Sequence, residues 1–170
     1  MAFKFWVWVI IFLSGWAFIA PYANAGGAEP NFDLPTPQLE ELAIYGNPPA
    51  QFFLGGRYEH GTHGVPKNPH LAQKWYQEAF EGFTHGAQGG VPTAQFYLGL
   101  MYQMGHGVSI NETRAASWYF KAADQGETRA VDYLWMLYNS HPSQEIYDWF
   151  QKAAKKGNPK AMIFMEGNSH

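Results

Sequence analysis

The stretch that decides the fold is AQFYLGLMYQMGHGV, residues 94–108. Related stretches open with AQFFLGGRYEHG at Ala50, AVDYLWMLYNS at Ala130 and AMIFM at Ala161. The four alanines follow one another at spacings of 44, 36 and 31 residues. Self-similarity at a period of roughly 30–45 residues is typical of a solenoid built from helix pairs. The repetition therefore predicts an all-α solenoid of about three helix-turn-helix repeats.

Each unit contains two predicted helices. In the first helix, Ala94, Leu98 and Tyr102 are four residues apart and share one face, and the other units repeat this spacing. The first helices are expected at 50–60, 94–104 and 130–140. The second helices begin near His70, Thr113 and Gln144, and each carries a tryptophan followed by another aromatic residue. We expect these tryptophans to form the core between helix pairs: Trp75, Trp118 and Trp149.

Turn residues agree with this division. Gly61 and Gly105 follow the first helices, as expected for residues that take a positive φ at a helix C-terminus. Asn68 and Asn111 precede the second helices and are predicted N-caps. The glycine-rich stretch at 81–94 is expected to be a long connection that makes the first repeat longer than the second.

The spacing of these residues resembles the Sel1-like repeat, a slightly longer relative of the tetratricopeptide repeat. The second unit carries the pattern most fully, at Ala94, Leu98, Gly99, Tyr102, Gly105, Gly107, Val108, Ala115, Trp118, Tyr119, Ala122, Gly126 and Ala130. The third unit departs from it, because Trp135 replaces the helix-one glycine and the glycine-rich turn shrinks to 140–143. The resemblance implies a right-handed superhelix without catalytic residues that acts as an adaptor between proteins.

The repeats divide the chain into seven segments. The predicted bounds are a signal peptide at 1–25, a flexible linker at 26–37, an N-terminal capping helix at 38–49, repeat 1 at 50–93, repeat 2 at 94–129, a shortened repeat 3 at 130–160, and a C-terminal cap or tail at 161–170.

The N-terminal segment has the three parts of a secretory signal peptide. Lys4 precedes a charge-free apolar run over 5–20, Pro21 interrupts it, and Ala-Asn-Ala at 23–25 matches a cleavage site. We expect an exported protein, periplasmic or secreted, with cleavage after Ala25. The alternative is an uncleaved membrane anchor, although a spanning helix uses about 20 apolar residues and this run is shorter.

Composition excludes several kinds of chemistry. The 170 residues include no Cys, which excludes disulfides, iron–sulfur clusters and thiolate metal sites. The net charge is −3 and there is no run of Lys or Arg, so nucleic acid is not an expected partner. Glu59, His60 and His63 form the densest group of potential ligands, but they flank a turn without convergent spacing. No metal, cofactor or catalytic residue is therefore predicted.

The first helices are expected to line the concave groove, with residues off their packing stripe facing a ligand. The predicted partner-binding residues are Phe52, Glu59 and His60 in repeat 1, Phe96, Leu100, Gln103 and Met104 in repeat 2, and Asp132, Met136 and Asn139 in repeat 3. Apolar side chains mixed with a few polar ones suit a partner protein or peptide. The leading hypothesis is an exported interaction module with a partner in the cell envelope. The alternative is a small envelope enzyme or glycan-binding protein that uses exposed aromatics and carboxylates.

Overall fold

A computed structural model describes residues 34–168, and this part of the chain contains eight α-helices and no β-strand. In chain order the helices are α1 (Thr36–Ile44), α2 (Pro48–His60), α3 (Pro69–Gln88), α4 (Pro92–Met104), α5 (Glu112–Asp124), α6 (Thr128–Ser140), α7 (Gln144–Lys155) and α8 (Pro159–Gly167).

Each helix packs mainly against its neighbours in sequence, which is the organisation of a solenoid. The predicted all-α repeat fold is therefore confirmed, with α2–α3, α4–α5 and α6–α7 as the three helix pairs. The first two pairs lie close together along their lengths, whereas α6 and α7 approach each other at few positions.

The helix ends follow the predicted signals. Asn68 and Asn111 each accept, through Oδ1, the backbone N–H three residues further on, at 3.1 and 2.9 Å. This confirms the two N-caps. Gly61 and Gly105 end α2 and α4 with φ of 70° and 76°, a left-handed conformation that a residue with a Cβ adopts only at a cost.

The helix α3 is longer than the sequence predicts. Residues 81–88 continue it by two turns, so the expectation that they form part of a connection is wrong. Their glycines serve close packing instead, since a Cβ on Gly82 would lie 2.5 Å from Pro48 Cγ. A Cβ on Gly86 would lie 2.9 Å from that of Ala94. The small residues thus let α3 approach both α2 and α4.

The core contains the residue that follows each predicted tryptophan. These residues are at most 5% exposed: Tyr76, Tyr119 and Phe150. The tryptophans themselves are only half-buried: Trp75, Trp118 and Trp149. Their assignment as the core is therefore wrong. A step of one residue rotates a helix position by about 100°, so each tryptophan is left partly exposed at the edge of the core, where Trp149 still stacks on Phe120 of α5 with centroids 6.0 Å apart.

A glycine on the first helix accommodates each buried tyrosine. A Cβ added to Gly55 or Gly99 would lie 2.8 or 2.7 Å from ring atoms of the tyrosine opposite, closer than side chains pack. In the third repeat Trp135 occupies this position, and its ring meets Phe150 edge-on at 6.4 Å between centroids. The third pair therefore cannot close as the first two do.

The helix α1 takes the place of a preceding repeat's second helix. The Nε2 of Gln51 donates to the Ala43 carbonyl of α1 at 3.1 Å, and Gln95 donates in the same way to Ala87 of α3 at 3.2 Å. Both glutamines are 5% exposed, so each satisfies a carbonyl inside the stack. The helix α1 thus overlaps the segment predicted as a cap, 38–49, but begins at Thr36, inside the segment predicted as a flexible linker, 26–37.

The predicted signal peptide and most of the predicted linker lie outside the described residues. Among residues 34–168, no helix has both the length and the apolar character needed to cross a bilayer.

Candidate binding site

The structure separates the predicted groove residues into three groups. The exposed ones are His60, Met104, Asp132, Met136 and Asn139. The half-buried ones are Phe52, Glu59 and Gln103. The buried ones are Phe96 and Leu100, at 3% and 8% exposed.

Burial corrects the expectation that Phe96 and Leu100 present apolar surface to a partner. The ring of Phe96 contacts that of Tyr133 on α6 at 5.3 Å between centroids. The guanidinium of Arg129 lies over the Phe96 ring, 4.5 Å from its centroid. The next repeat therefore covers this surface. Met136 holds the same position in the third repeat as Leu100 in the second, and it remains 55% exposed near the end of the stack.

Phe52 is part of an aromatic cluster between the first two repeats. Its ring lies 5.6 Å from Tyr76, 5.5 Å from Tyr97 and 5.8 Å from His106, measured between centroids. Aromatic pairs at these separations contribute to stability beyond the area they bury. Replacing Phe52 would therefore disturb packing as well as any binding.

Two polar groove residues accept hydrogen bonds from core tyrosines. The Tyr76 hydroxyl donates to Glu59 Oε2 at 2.6 Å, and the Tyr119 hydroxyl donates to Gln103 Oε1 at 2.7 Å. Burial, then the hydrogen bond and charge of Glu59, raise the pKa of Tyr76 well above its ordinary value. Glu59 and Gln103 thus orient the core as well as facing solvent.

His106 lies on the ring of Tyr76. The two rings are stacked, with centroids 3.9 Å apart and planes 10° from parallel. The Nε2 of His106 is 3.5 Å from Glu59 Oε2, and its buried Nδ1 has no hydrogen-bond partner among the described residues. Burial lowers the pKa of His106, against an opposing effect of Glu59, and His60 adds to the lowering. The neutral imidazole is favoured because a protonated ring would bury an unsatisfied N–H.

A cleft of about 500 Å³ opens beside this stack, between α3 and the turn after α4. Its polar lining comes from Glu59, Gln73, Tyr76, His106 and Ser109, and its apolar lining from Pro69, Ala72 and Val108. The turn is held against α3 at Gly107, where a Cβ would lie 2.5 Å from the Tyr76 carbonyl oxygen. Two repeats therefore build one cleft.

The chemistry of the cleft favours binding. Glu59 is the one carboxylate in its lining, so the cleft lacks the paired carboxylates of a glycoside hydrolase. Across residues 34–168, no three His, Asp or Glu side chains converge as a metal site. The arrangement is suited to accepting hydrogen bonds or pairing with a cation.

The residues that form the cleft around Glu59 were not predicted from the sequence. Neither Tyr76 nor His106 is among the residues predicted to bind a partner. One signal was present, because the turn carries a second glycine, Gly107, beyond the one that ends α4. Gly107 has φ of 70° and lies against the preceding repeat. That glycine marks where the turn docks.

Comparison with known families agrees with the geometry. The Sel1 repeat model matches residues 48–82, 92–127 and 147–158. The first match includes α2 and most of α3, the second includes α4 and α5, and the third includes most of α7 and leaves α6 unmatched. The divergent third repeat is thus visible in both sequence and structure.

These features define a helical-repeat scaffold. The chain belongs to the Sel1 repeat family, whose members are generally protein–protein interaction modules. A crystallised Sel1 repeat protein from Oxalobacter formigenes is 34% identical, with a TM-score of 0.46, and the match covers 76% of this chain and 96% of that one.

Two curated relatives are much longer proteins. Chitin synthase regulatory factor 3 of Schizosaccharomyces pombe is 28% identical over 64% of this chain, and the match spans 15% of its length. An ERAD-associated E3 ubiquitin-protein ligase component of Arabidopsis thaliana is 36% identical over 36% of this chain, and the match spans 9% of its length. The chain therefore spans only a small part of each of these curated relatives.

Proposed function

We propose that this protein is an exported interaction module that binds a partner protein or peptide through the groove formed by the first helices of its repeats. The observation that carries the proposal is the exposure of apolar groove residues beside a buried packing stripe. Met104 and Met136 are 51% and 55% exposed, whereas Leu98 and Leu134 on the same helices are at most 1% exposed. Flexible methionines suit surfaces that adapt to a partner.

The cell envelope is the proposed location of the partner. Support comes from the signal-peptide pattern over 1–25, which ends in the small residues of a cleavage site. N-terminal sequencing of the protein from its own cells would test this directly. A chain that begins at Gly26 is the expected result, and a retained Met1 in the membrane fraction would favour an anchored protein.

Capture from the envelope fraction, followed by binding of the purified partner, tests the proposed groove. Met104→Glu/Met136→Glu should weaken binding of that partner by about tenfold or more, because central apolar anchors dominate interface energy. Both sites are exposed, so the melting temperature should change little.

Ile110→Glu is the matched control, since Ile110 is 66% exposed and is not a predicted groove residue. If the double variant binds the partner as well as the wild type does and only Ile110→Glu loses binding, the interface lies outside the groove. Phe52 and Phe96 are unsuitable for this test, because their replacement would damage the core.

A further inference from the structure

The cleft beside the Tyr76–His106 stack carries a net negative charge. Glu59 is the one charged residue in its lining, and no Lys or Arg contributes to it. The second ionisable ring, His106, is held neutral by burial and by the lack of a partner for its Nδ1. The side chain of Glu59 is 39% exposed, so its carboxylate remains accessible while Oε2 holds the Tyr76 hydroxyl.

The shape and lining of the cleft suit a long side chain with a charged end. Pro69, Ala72 and Val108 provide apolar walls, and Gln73 and Ser109 provide polar groups. The volume of about 500 Å³ is within the usual range for ligand pockets. Lys and Arg have this character, because their aliphatic stems pack against apolar surface while the charged end remains in contact with water or polar groups.

The second repeat lacks an equivalent site. There Gln103 replaces the carboxylate, and its Oε1 accepts the Tyr119 hydroxyl at 2.7 Å. The following turn, at 140–143, also lacks the Gly-His-Gly sequence that walls the first cleft. At the second junction the turn residue His141 pairs with Glu112 instead, at 3.2 Å, so a carboxylate that holds the core tyrosine lies beside a Gly-His-Gly turn at the first junction alone among the described repeats.

We propose that this cleft binds one basic side chain, lysine or arginine, of the partner protein, with the Glu59 carboxylate as its counter-ion. The inference rests on the proposed interaction function and specifies the chemistry of the partner. It assigns Glu59 a second role in addition to orienting Tyr76.

The test uses protein that is expressed from the full sequence and purified in the form that the cell produces, with its N-terminal segment cleaved or retained. The probes are acetyl-Gly-Arg-Gly-amide, acetyl-Gly-Lys-Gly-amide and the neutral control acetyl-Gly-citrulline-Gly-amide. Binding is followed by NMR through the backbone amides of residues 105–109. Saturable shifts are expected with the two basic peptides, and the citrulline peptide should bind at least about tenfold more weakly. Equal shifts with citrulline, or none with either basic peptide at millimolar concentration, would overturn the proposal.

Glu59→Gln is the informative variant, because the second repeat already uses a glutamine to hold the core tyrosine. It should fold normally and bind the basic peptides about tenfold more weakly. Glu112→Gln removes an equal charge at a similarly exposed site, 44% for the side chain, and should bind like the wild type. Equal losses in both variants would show that only net charge matters and would contradict the assignment.

Two further arms keep the test decisive. Ser109→Lys adds a cation to the cleft without touching the Glu59–Tyr76 bond, so it should abolish peptide binding even if Glu59→Gln fails to fold. Undiminished binding by Ser109→Lys would overturn the site. Putrescine that competes as well as the peptides would indicate a site for free amines instead. If the basic peptides do not bind but the envelope partner still binds through Met104 and Met136, the cleft assignment is wrong and the proposed interaction function is unaffected.

Discussion

The first two repeats pack their two helices together through different residues from those used by the third repeat. In the first two, a core tyrosine lies against a helix-one glycine and donates its hydroxyl to the end of that helix. In the third, tryptophan, phenylalanine and an exposed asparagine occupy these positions: Trp135, Phe150 and Asn139. All three members change together. We therefore infer that the glycine, the tyrosine and the acceptor stabilise the helix pair together, and that the loss of one removes the contribution of the other two.

The third repeat obtains its core contacts from the C-terminal side. Phe150 stacks on Phe164 of α8, with centroids 3.8 Å apart. Trp135 and Tyr138 contact Phe164 edge-on at 5.5 and 5.1 Å. The helix α8 therefore closes the stack, and it replaces the close approach that α6 and α7 lack.

The largest expected effect comes from removing a core tyrosine. Tyr119 is 0% exposed, and Tyr119→Ala should lower the free energy of unfolding by about 3–5 kcal/mol. Trp118→Ala should lower it by less than about 2 kcal/mol, because the half-buried indole retains solvent contact and lies under Lys121. Urea denaturation of both variants makes the comparison. A larger loss for Trp118→Ala would restore the tryptophans as the core.

Neighbouring glycines in α2 should respond in opposite directions. Gly55→Ala forces a methyl into the Tyr76 ring and should cost about 1–3 kcal/mol. At Gly56 the added Cβ would lie 3.6 Å from the Tyr76 hydroxyl, an ordinary contact. Gly56→Ala should therefore gain up to about 1 kcal/mol from helix propensity. Thermal melts of the pair decide the point, and two stabilising substitutions would rule out a tight glycine contact.

A smaller effect is expected when the second repeat is made to resemble the third. Tyr119→Phe removes the hydroxyl that Gln103 accepts and should cost about 1 kcal/mol. In the Tyr119→Phe background, Gln103→Ala should lower the free energy of unfolding little further, because the Gln103 amide no longer accepts a hydrogen bond from residue 119. A double-mutant cycle on denaturation free energies measures this coupling. Purely additive losses would show that the hydroxyl and the amide act independently.

The smallest effect is a dependence of stability on pH at the first junction. Burial lowers the folded-state pKa of His106, so below about pH 6.5 the unfolded chain takes up a proton that the folded chain does not. The free energy of unfolding should therefore fall as pH decreases through this window, until the folded-state pKa is reached. Glu127, whose pKa is lowered mainly by its hydrogen bond with Arg129, loses its stabilising effect only below about pH 4.5.

His106→Phe keeps an aromatic ring on Tyr76 and removes the titrating group. Its stability should vary less with pH between about 7 and 5 than that of the wild type. The measurement is denaturant melting at several pH values on both proteins. Identical slopes would show that His106 takes up its proton freely in the folded state.

Much of the fold was accessible from sequence because it depends on local signals. The repeated spacing located the first helices, Gly61 and Gly105 located the ends of two of them, and Asn68 and Asn111 located the starts of the second helices α3 and α5. The face that α3, α5 and α7 each turn towards the core could not be predicted from the sequence. Adjacent aromatic residues such as Trp118 and Tyr119 fit the apolar pattern of a buried face equally well. Only the position of the glycine on the opposing helix decides which ring is buried.

The candidate site was only partly predictable. Glu59 and Met136 could be selected from helix register, because both lie off the packing stripe. Phe96 also lies off the stripe but is covered by Tyr133 and Arg129 of the following repeat, and the pattern within a single helix carries no information about that contact. Leu100 is buried as well. His106 was missed because its role depends on a contact between two repeats.

Site-specific photo-crosslinking in the producing cells tests the central claim most directly. Benzoylphenylalanine placed at Met104, Met136 or Ile110 reports which exposed face touches a partner, and all three positions are more than half exposed. We expect one and the same envelope protein to crosslink at Met104 and Met136 and to be absent at Ile110. Crosslinking of that protein at Ile110 alone would contradict binding through the groove of the first helices.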